Sequence, residues 1–278
     1  MIKLLGIIKL IVIFGVLTLF TQIGGIIYLL MKPLTGFLSR NVHNYWKKQG
    51  VKLTSYFIGY LLIISFIVPP LARVFGREAL PVFGHEQVKP LNIWTCVLNR
   101  HYVRPELHKT LTQVAKQLDQ QHPGAVIAYM DANFPFKKGY PLWPHLSHSD
   151  GKKVDIAFLY KHPKTSKRLS RTARTLFGYG SYETPQPNEY NIAQQCERQG
   201  FWQYNLLGRF YPQWLKKNRK VDVTRTRSMI QLFAQHPKTN VLYIEPYLKQ
   251  RWRIFATKIR FHGCHSVRHD DHLHVSIW

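Results

Sequence analysis

Two long uncharged apolar runs constrain this chain more than any other feature. Between Lys9 and Lys32 stand 22 residues, LIVIFGVLTLFTQIGGIIYLLM, and between Lys52 and Arg73 stand 20 more, LTSYFIGYLLIISFIVPPLA. At about 1.5 Å per helical residue, each run can cross a hydrocarbon layer of about 30 Å. Neither carries a polar stripe, which argues against two amphipathic core helices. The first run is too long for the apolar region of a signal peptide, and no small-residue cleavage pattern follows it. Gln22, Gly24-Gly25 and Pro69-Pro70 interrupt the runs, but membrane helices tolerate such residues, particularly near their ends. The expectation is a transmembrane helical hairpin over residues 1–73, with spans at about 10–31 and 53–72. The loop 32–52 holds Lys32, Arg40, Lys47, Lys48 and Lys52 and no acid. Positive loops stay in the cytoplasm, so everything after Arg73 is expected on the outer side of the membrane.

The remainder is long enough for one sizeable core. The chain has 278 residues with 45% hydrophobic and 14% aromatic residues, which excludes a disordered protein. Three cysteines exclude a disulfide scaffold and a four-cysteine zinc module. In an oxidising compartment, Cys96, Cys196 and Cys264 allow one disulfide and one free thiol; a bond from Cys264 would brace the segment before His269. Lys plus Arg number 39 against 14 acids. Eight of the 39 precede residue 74 and none of the acids does, so residues 74–278 keep a net charge of +17. That balance suits a polyanionic neighbour.

Residues 74–104 read as a linker and entry segment before a domain over 105–278. Pro105-Glu106 opens a helix whose apolar positions (Leu107, Leu111, Val114, Ala115, Leu118) recur at helical spacing, and His122-Pro123-Gly124 ends it. Ala125–Met130, Val154–Tyr160, Val241–Ile244 and His272–Trp278 read as strands, Val223–Gln235 as a helix and Glu245–Arg251 as a helical turn. This mixture, without regular alternation, predicts an α+β fold around an antiparallel sheet with flanking helices. The segment 161–221, rich in Lys, Arg, Tyr, Trp, Gln and Asn, reads either as a solvated insertion or as a groove wall for a polar polymer.

Two segments carry chemistry. In His269-Asp270-Asp271-His272-Leu273-His274-Val275, strand alternation sends Leu273, Val275 and Ile277 to one face and His272, His274 and Ser276 to the other. Two imidazoles on one strand face suit a cation better than a core. In Ser147-His148-Ser149-Asp150-Gly151-Lys152-Lys153-Val154-Asp155-Ile156, Gly151 allows a tight turn, so His148 before it and Asp155 after it can converge. If the last strand pairs nearby, His148, Asp155 and His274 form a two-histidine, one-carboxylate set with an open position, as in catalytic zinc sites.

The pattern S-H-x-x-G-x-x-V-D-I with H-D-D-H-x-H-V resembles the LAS metallopeptidases, the lysostaphin-type, D-Ala-D-Ala-type and sonic-hedgehog-like group. It is most similar to the penicillin-insensitive murein endopeptidases. The likeness covers residues ~122–160 and ~239–278. It implies a Zn²⁺ peptidase that hydrolyses peptide bonds in peptidoglycan, as endopeptidase or carboxypeptidase; joined to the two apolar runs, this gives the expectation of a membrane-anchored enzyme with its catalytic domain on the periplasmic side of a bacterial inner membrane. By the same resemblance His148, Asp155 and His274 are the metal ligands, His272 the general base and His269 a further active-site histidine. Asp270 and Asp271 would orient imidazoles, with Ser147 and His145 nearby. The D-Ala-D-Ala dipeptidases have Glu where Asp271 stands, which favours the other branches.

The same residues admit other readings. His85-Glu86 begins like a zincin motif, but Lys89 occupies the position of its second histidine. His145-x-Ser147 and His274-x-Ser276 resemble the paired motifs of 2H phosphoesterases, yet leave His148, Asp155 and His272 without a role. A non-catalytic, zinc-stabilised wall-binding module is the remaining alternative. The expected partners are peptidoglycan or another anionic wall polymer and, through the two spans, membrane lipid; no specific nucleic acid is expected. His101, His108, His122, His162, His236 and His262 are assigned no function.

Overall fold

The computed structural model describes residues 2–84 and 87–278. His85 and Glu86, and with them the incomplete zincin-like motif, lie outside the described residues. The chain is α+β, as expected, and opens with three packed helical segments. These are α1 (Ile2–Thr21), α2 (Gly24–Leu38) and α3 (Tyr45–Leu62), the last continued by a π-helical turn (Ile63–Ile67) into α4 (Val68–Val74).

The first expected span is corrected. Residues 10–31 are not one helix, because the chain reverses at Gln22, whose φ is +68°. The Thr21 hydroxyl accepts a hydrogen bond from Gly24 N at 2.7 Å and so starts the returning helix. Gly25 then lies so close to α1 that a Cβ would collide with Thr18 Oγ1 and the Phe14 carbonyl oxygen. Small residues at a helix contact allow this approach. The residues read as tolerated blemishes are therefore the pivot of a hairpin. The expected loop 32–52 shrinks accordingly, because α2 runs to Leu38 and α3 starts at Tyr45 with Asn44 as its cap, accepting from Lys47 N at 3.1 Å. Near the other prolines the helix does continue: a π turn, closed by Val68 N donating to Ile63 O, precedes Pro69 and Pro70, which have no N–H to give.

This arrangement also changes the path of the chain. The C-terminal end of α1 touches the remainder of the molecule: Tyr140 Oη donates to Thr18 O at 2.7 Å, Asn99 Nδ2 to Thr21 O at 3.4 Å, and Phe136 N to Gln22 Oε1 at 2.9 Å. The beginning of α1 therefore lies at the end remote from the domain, whereas a two-span hairpin would have put it on the domain side. Residues 74–104 are no free linker either. Glu78–Ala79 pairs with Tyr102–Val103, and Tyr102 packs in one cluster with Ile27, Tyr60, Ile64, Val68 and Ala72.

The main sheet has six strands: β1 (Val88–Pro90), β2 (Ile127–Tyr129), β3 (Lys153–Ala157), β4 (Thr239–Tyr243), β5 (Ile259–Arg260) and β6 (His272–Ile277), in the spatial order β1-β2-β3-β6-β4-β5. The central pairings β2–β3, β3–β6 and β6–β4 are antiparallel, but β1–β2 and β4–β5 are parallel. The sheet is mixed, not wholly antiparallel, because a short strand is added in parallel at each edge. Leu273 and Val275 from β6 and Val154 and Ile156 from β3 share the core with Leu111, Val114 and Leu118 of α5 (Pro105–Gln121) and with Met229, Ile230 and Phe233 of α6 (Val223–Gln235). Each such side chain, fully buried, contributes roughly 1.5–3 kcal/mol. This apolar layer leaves the opposite strand positions, Asp155, His272 and His274, to form the site.

Candidate metal centre

The register decides the site. β6 pairs with β3 so that His274 stands opposite Asp155 and His272 opposite Ala157. The two polar faces coincide as directly as the two apolar ones. Gly151, at φ +80°, turns the chain into β3, with its N–H held by Asn133 Oδ1 at 2.9 Å. Just before it, a turn in which His148 N donates to His145 O at 2.9 Å brings His148 over the same spot.

His148, Asp155 and His274 offer three ligand atoms that all lie within 4.8 Å of one another, a group that can hold a metal ion. The separations are 3.1 Å from His148 Nε2 to His274 Nδ1, 3.3 Å from His148 Nε2 to Asp155 Oδ1 and 3.0 Å from His274 Nδ1 to Asp155 Oδ1. Three corners of a tetrahedron around an ion with bonds of 2.0–2.1 Å lie about 3.3 Å apart. Asp155 Oδ1 is fully buried among these nitrogens yet forms no hydrogen bond, which suits a cation acceptor. The surroundings orient the donors. His148 Nδ1 faces the Ala132 carbonyl oxygen at 2.7 Å, so the proton sits there and the Nε2 lone pair is free. Tyr179 donates its hydroxyl to Asp155 Oδ2 at 2.9 Å and leaves Oδ1 for the cluster.

His272 sits beside this group. Its Nδ1 is 2.6 Å from Asp271 Oδ1, and its unpartnered Nε2 is 3.7 Å from Asp155 Oδ1. Asp271 is itself fixed, since Gly180 N donates to Oδ2 at 2.7 Å. Burial alone would depress the His272 pKa, but Asp155 and Asp271 raise it above its ordinary value. Burial sets the opposite direction for two neighbours: His274 falls to about 3, and His269 lies well below the ordinary histidine value, helped by His272 and His274. Burial would raise Asp155, but His148, His272 and His145 hold it well below the usual carboxylate value.

The remaining expected residues separate into two groups. His145 is at the cluster, with Nδ1 3.2 Å from Asp131 Oδ2 and 3.5 Å from Asp155 Oδ2. The His269 ring lies 5.0 Å from the His272 ring, tilted by 46°, and Ser147 lines the cleft beside them. Asp270 is corrected: its carboxylate takes hydrogen bonds from Arg268 and Tyr247 and orients no imidazole. Asp270 and Asp271 precede β6, so the alternation of that strand does not fix where their side chains point.

Sequence reasoning missed Asp131, Tyr179 and Glu245. Asp131 bridges His145 to Arg100 at 3.2 Å on each side. Glu245 Oε1 accepts from Tyr204 Oη at 2.6 Å and from His269 N at 3.0 Å. These residues belong to no recurring motif and are brought in by tertiary contact alone. His262, to which the sequence assigns no function, has its ring 5.4 Å from His269 and 6.0 Å from His274. A cleft of about 270 Å³ opens onto His148, His274, His269 and His262, with Trp143 and Trp202 at its mouth. Trp202 belongs to 161–221, so this segment is a wall of the cleft. The Cys196–Cys264 disulfide ties that wall to the segment carrying His265 and His269, while Cys96 is free and buried. No protein-family model matches this chain, and no curated protein sequence matches it.

Proposed function

We propose that this protein is a membrane-anchored zinc metallopeptidase of LAS type that hydrolyses peptide bonds in peptidoglycan. The observation that carries the proposal is the convergence of His148, Asp155 and His274 at tetrahedral-edge spacing, beside a histidine held by its own aspartate. Two imidazoles and one carboxylate suit Zn²⁺. A zinc ion there would supply a Lewis acid that polarises the scissile carbonyl and acidifies water. The chain supplies the rest. His272 Nε2 takes the proton of the attacking water and returns it to the leaving amine. Asp271, on Nδ1, fixes the tautomer and stabilises the charged ring. Asp271, paired to Nδ1, raises the basicity of the His272 ring against the effect of burial. General base assistance of this kind contributes about 10²–10⁴ in rate.

The substrate class rests on charge and surface. The net +17 of residues 74–278 favours a polymer with free carboxylates or phosphates. Trp143 and Trp202, half or more exposed, give stacking faces at the cleft mouth.

The membrane reading rests on Leu4–Thr21 and Tyr45–Val74, both long and apolar enough to span. Only 6% of the first window is buried, where a core helix would be mostly covered. Arg40, Lys47 and Lys48 lie towards the end remote from the domain, which favours a cytoplasmic position for that end and an outer position for the catalytic unit.

Purified full-length protein in detergent, incubated with muropeptides, tests the proposal. Peptide cleavage that stops with chelator and returns with zinc is expected. Chelator-insensitive hydrolysis of a phosphodiester would point to the phosphoesterase reading, and binding without product to a non-catalytic module; either overturns the proposal.

A further inference from the structure

Three lysines converge on one cavity of the helical unit; Lys9 and Lys32 are exposed and Lys52 is half-buried. Lys9 from α1, Lys32 from α2 and Lys52 from α3 line one cavity of about 670 Å³ between these helices. None of them is terminal: each has at least six further residues of its helix on either side. The first acidic residue of the sequence is Glu78, so the helical unit contains no carboxylate to neutralise them. Like charges facing one cavity without a counter-ion repel, and at membrane depth such charges are costly. Such groups mark a site whose ligand supplies the missing negative charge.

The rest of the cavity fits a headgroup. Gln49 adds an amide without an intramolecular partner, and Tyr28 and Tyr56 close one end with their rings 5.8 Å apart. At Gly6 and Gly36, on the cavity wall, nothing lies within 4 Å of where a Cβ would be, which leaves room. Leu10, Ile13 and Leu53 add apolar surface to the same cavity, and Leu53 is largely exposed. Acyl chains would cover that surface, whereas free phosphate would leave it bare.

We infer that this cavity is a binding site for the phosphate headgroup of an anionic membrane lipid, clasped by Lys9, Lys32 and Lys52. The inference rests on the membrane reading of the helical unit and is independent of the peptidase reading. Basic pockets between membrane helices on the cytoplasmic side are suited to such headgroups.

Full-length protein released from mixed micelles into native mass spectrometry, with phosphatidylglycerol and phosphatidylcholine supplied in equal amounts, tests it. The wild type is expected to retain one phosphatidylglycerol. The K9Q/K32Q/K52Q variant is expected to bind it about a hundredfold more weakly, and K9R/K32R/K52R to restore it. K47Q/K48Q, which removes two charges outside the cavity, should bind as the wild type does. Equal retention by the glutamine triple variant, or equal retention of phosphatidylcholine by the wild type, overturns the inference. Displacement by inorganic phosphate at matched concentration overturns the lipid source. Alkaline carbonate extraction of the same membranes separates the two readings. A chain that stays in the bilayer but binds both lipids alike sinks only this inference; a chain that extracts sinks the membrane reading on which it stands.

Discussion

At the scale of single residues, the site separates groups that would hold a cation from the group that would move a proton. His148 offers Nε2 because its Nδ1 proton is committed to the Ala132 carbonyl, and His272 offers Nε2 because Asp271 occupies its other nitrogen. His148→Ala should therefore lose both bound metal and activity. His272→Ala should keep metal near the wild-type content while activity falls by about 10²–10⁴. Elemental analysis beside turnover distinguishes them, and full turnover in either variant rules out its assigned role. Glu245 makes a separate prediction. Burial, then the nearby Asp270, raises its pKa from 4.5 to about 7. Between those two values the folded state binds more protons than the unfolded one, so stability falls as pH rises through that window. Glu245→Gln should flatten this fall, as read from thermal midpoints at pH 5 and 7.5; parallel curves for the two proteins would exclude it. The ligand set was legible in sequence because alternation and a glycine turn fix where His148, Asp155, His272 and His274 point. Asp131, Tyr179 and Glu245 were not legible: each reaches the site across a long sequence separation, and nothing local distinguishes it from any other buried polar residue.

At the scale of elements, two devices hold the cleft. The β3–β6 register places the ligands, and the Cys196–Cys264 bond, 68 residues apart in sequence, fastens the 161–221 wall to the segment before His269. Reduction, or Cys196→Ser with Cys264→Ser, should destabilise the domain by about 2–4 kcal/mol, because the unfolded chain regains the freedom of a long loop. Denaturant titration with and without reductant measures the effect; coincident curves would show that the bond constrains nothing. The elements themselves were read well where one physical pattern dominates. Val223–Gln235 has capping and periodicity that agree, and His272–Ile277 alternates without exception. The first apolar run misled because hydropathy averages over a window and is blind to backbone. Gln22 in the left-handed region and Gly25 in close contact with α1 turn one apparent span into two antiparallel helices.

At the scale of the whole molecule, the helical unit and the domain share packing. Tyr60 Oη donates to Val97 O, and Tyr102 packs among Ile27, Ile64, Val68 and Ala72. A chain cut to residues 75–278 would expose that apolar contact to water. It should unfold at a lower temperature and associate unless detergent is added, as size-exclusion chromatography would show; a monodisperse fragment with an unchanged midpoint would mean the contact carries no stability. The central claim is narrower and concerns one ion. Metal content should be measured on full-length protein purified without chelator, as wild type and as Asp155→Asn. The account predicts about one zinc per wild-type chain and near none in the variant, with peptide hydrolysis lost in parallel. Equal metal in both proteins, or full hydrolysis by a metal-free wild type, would contradict it.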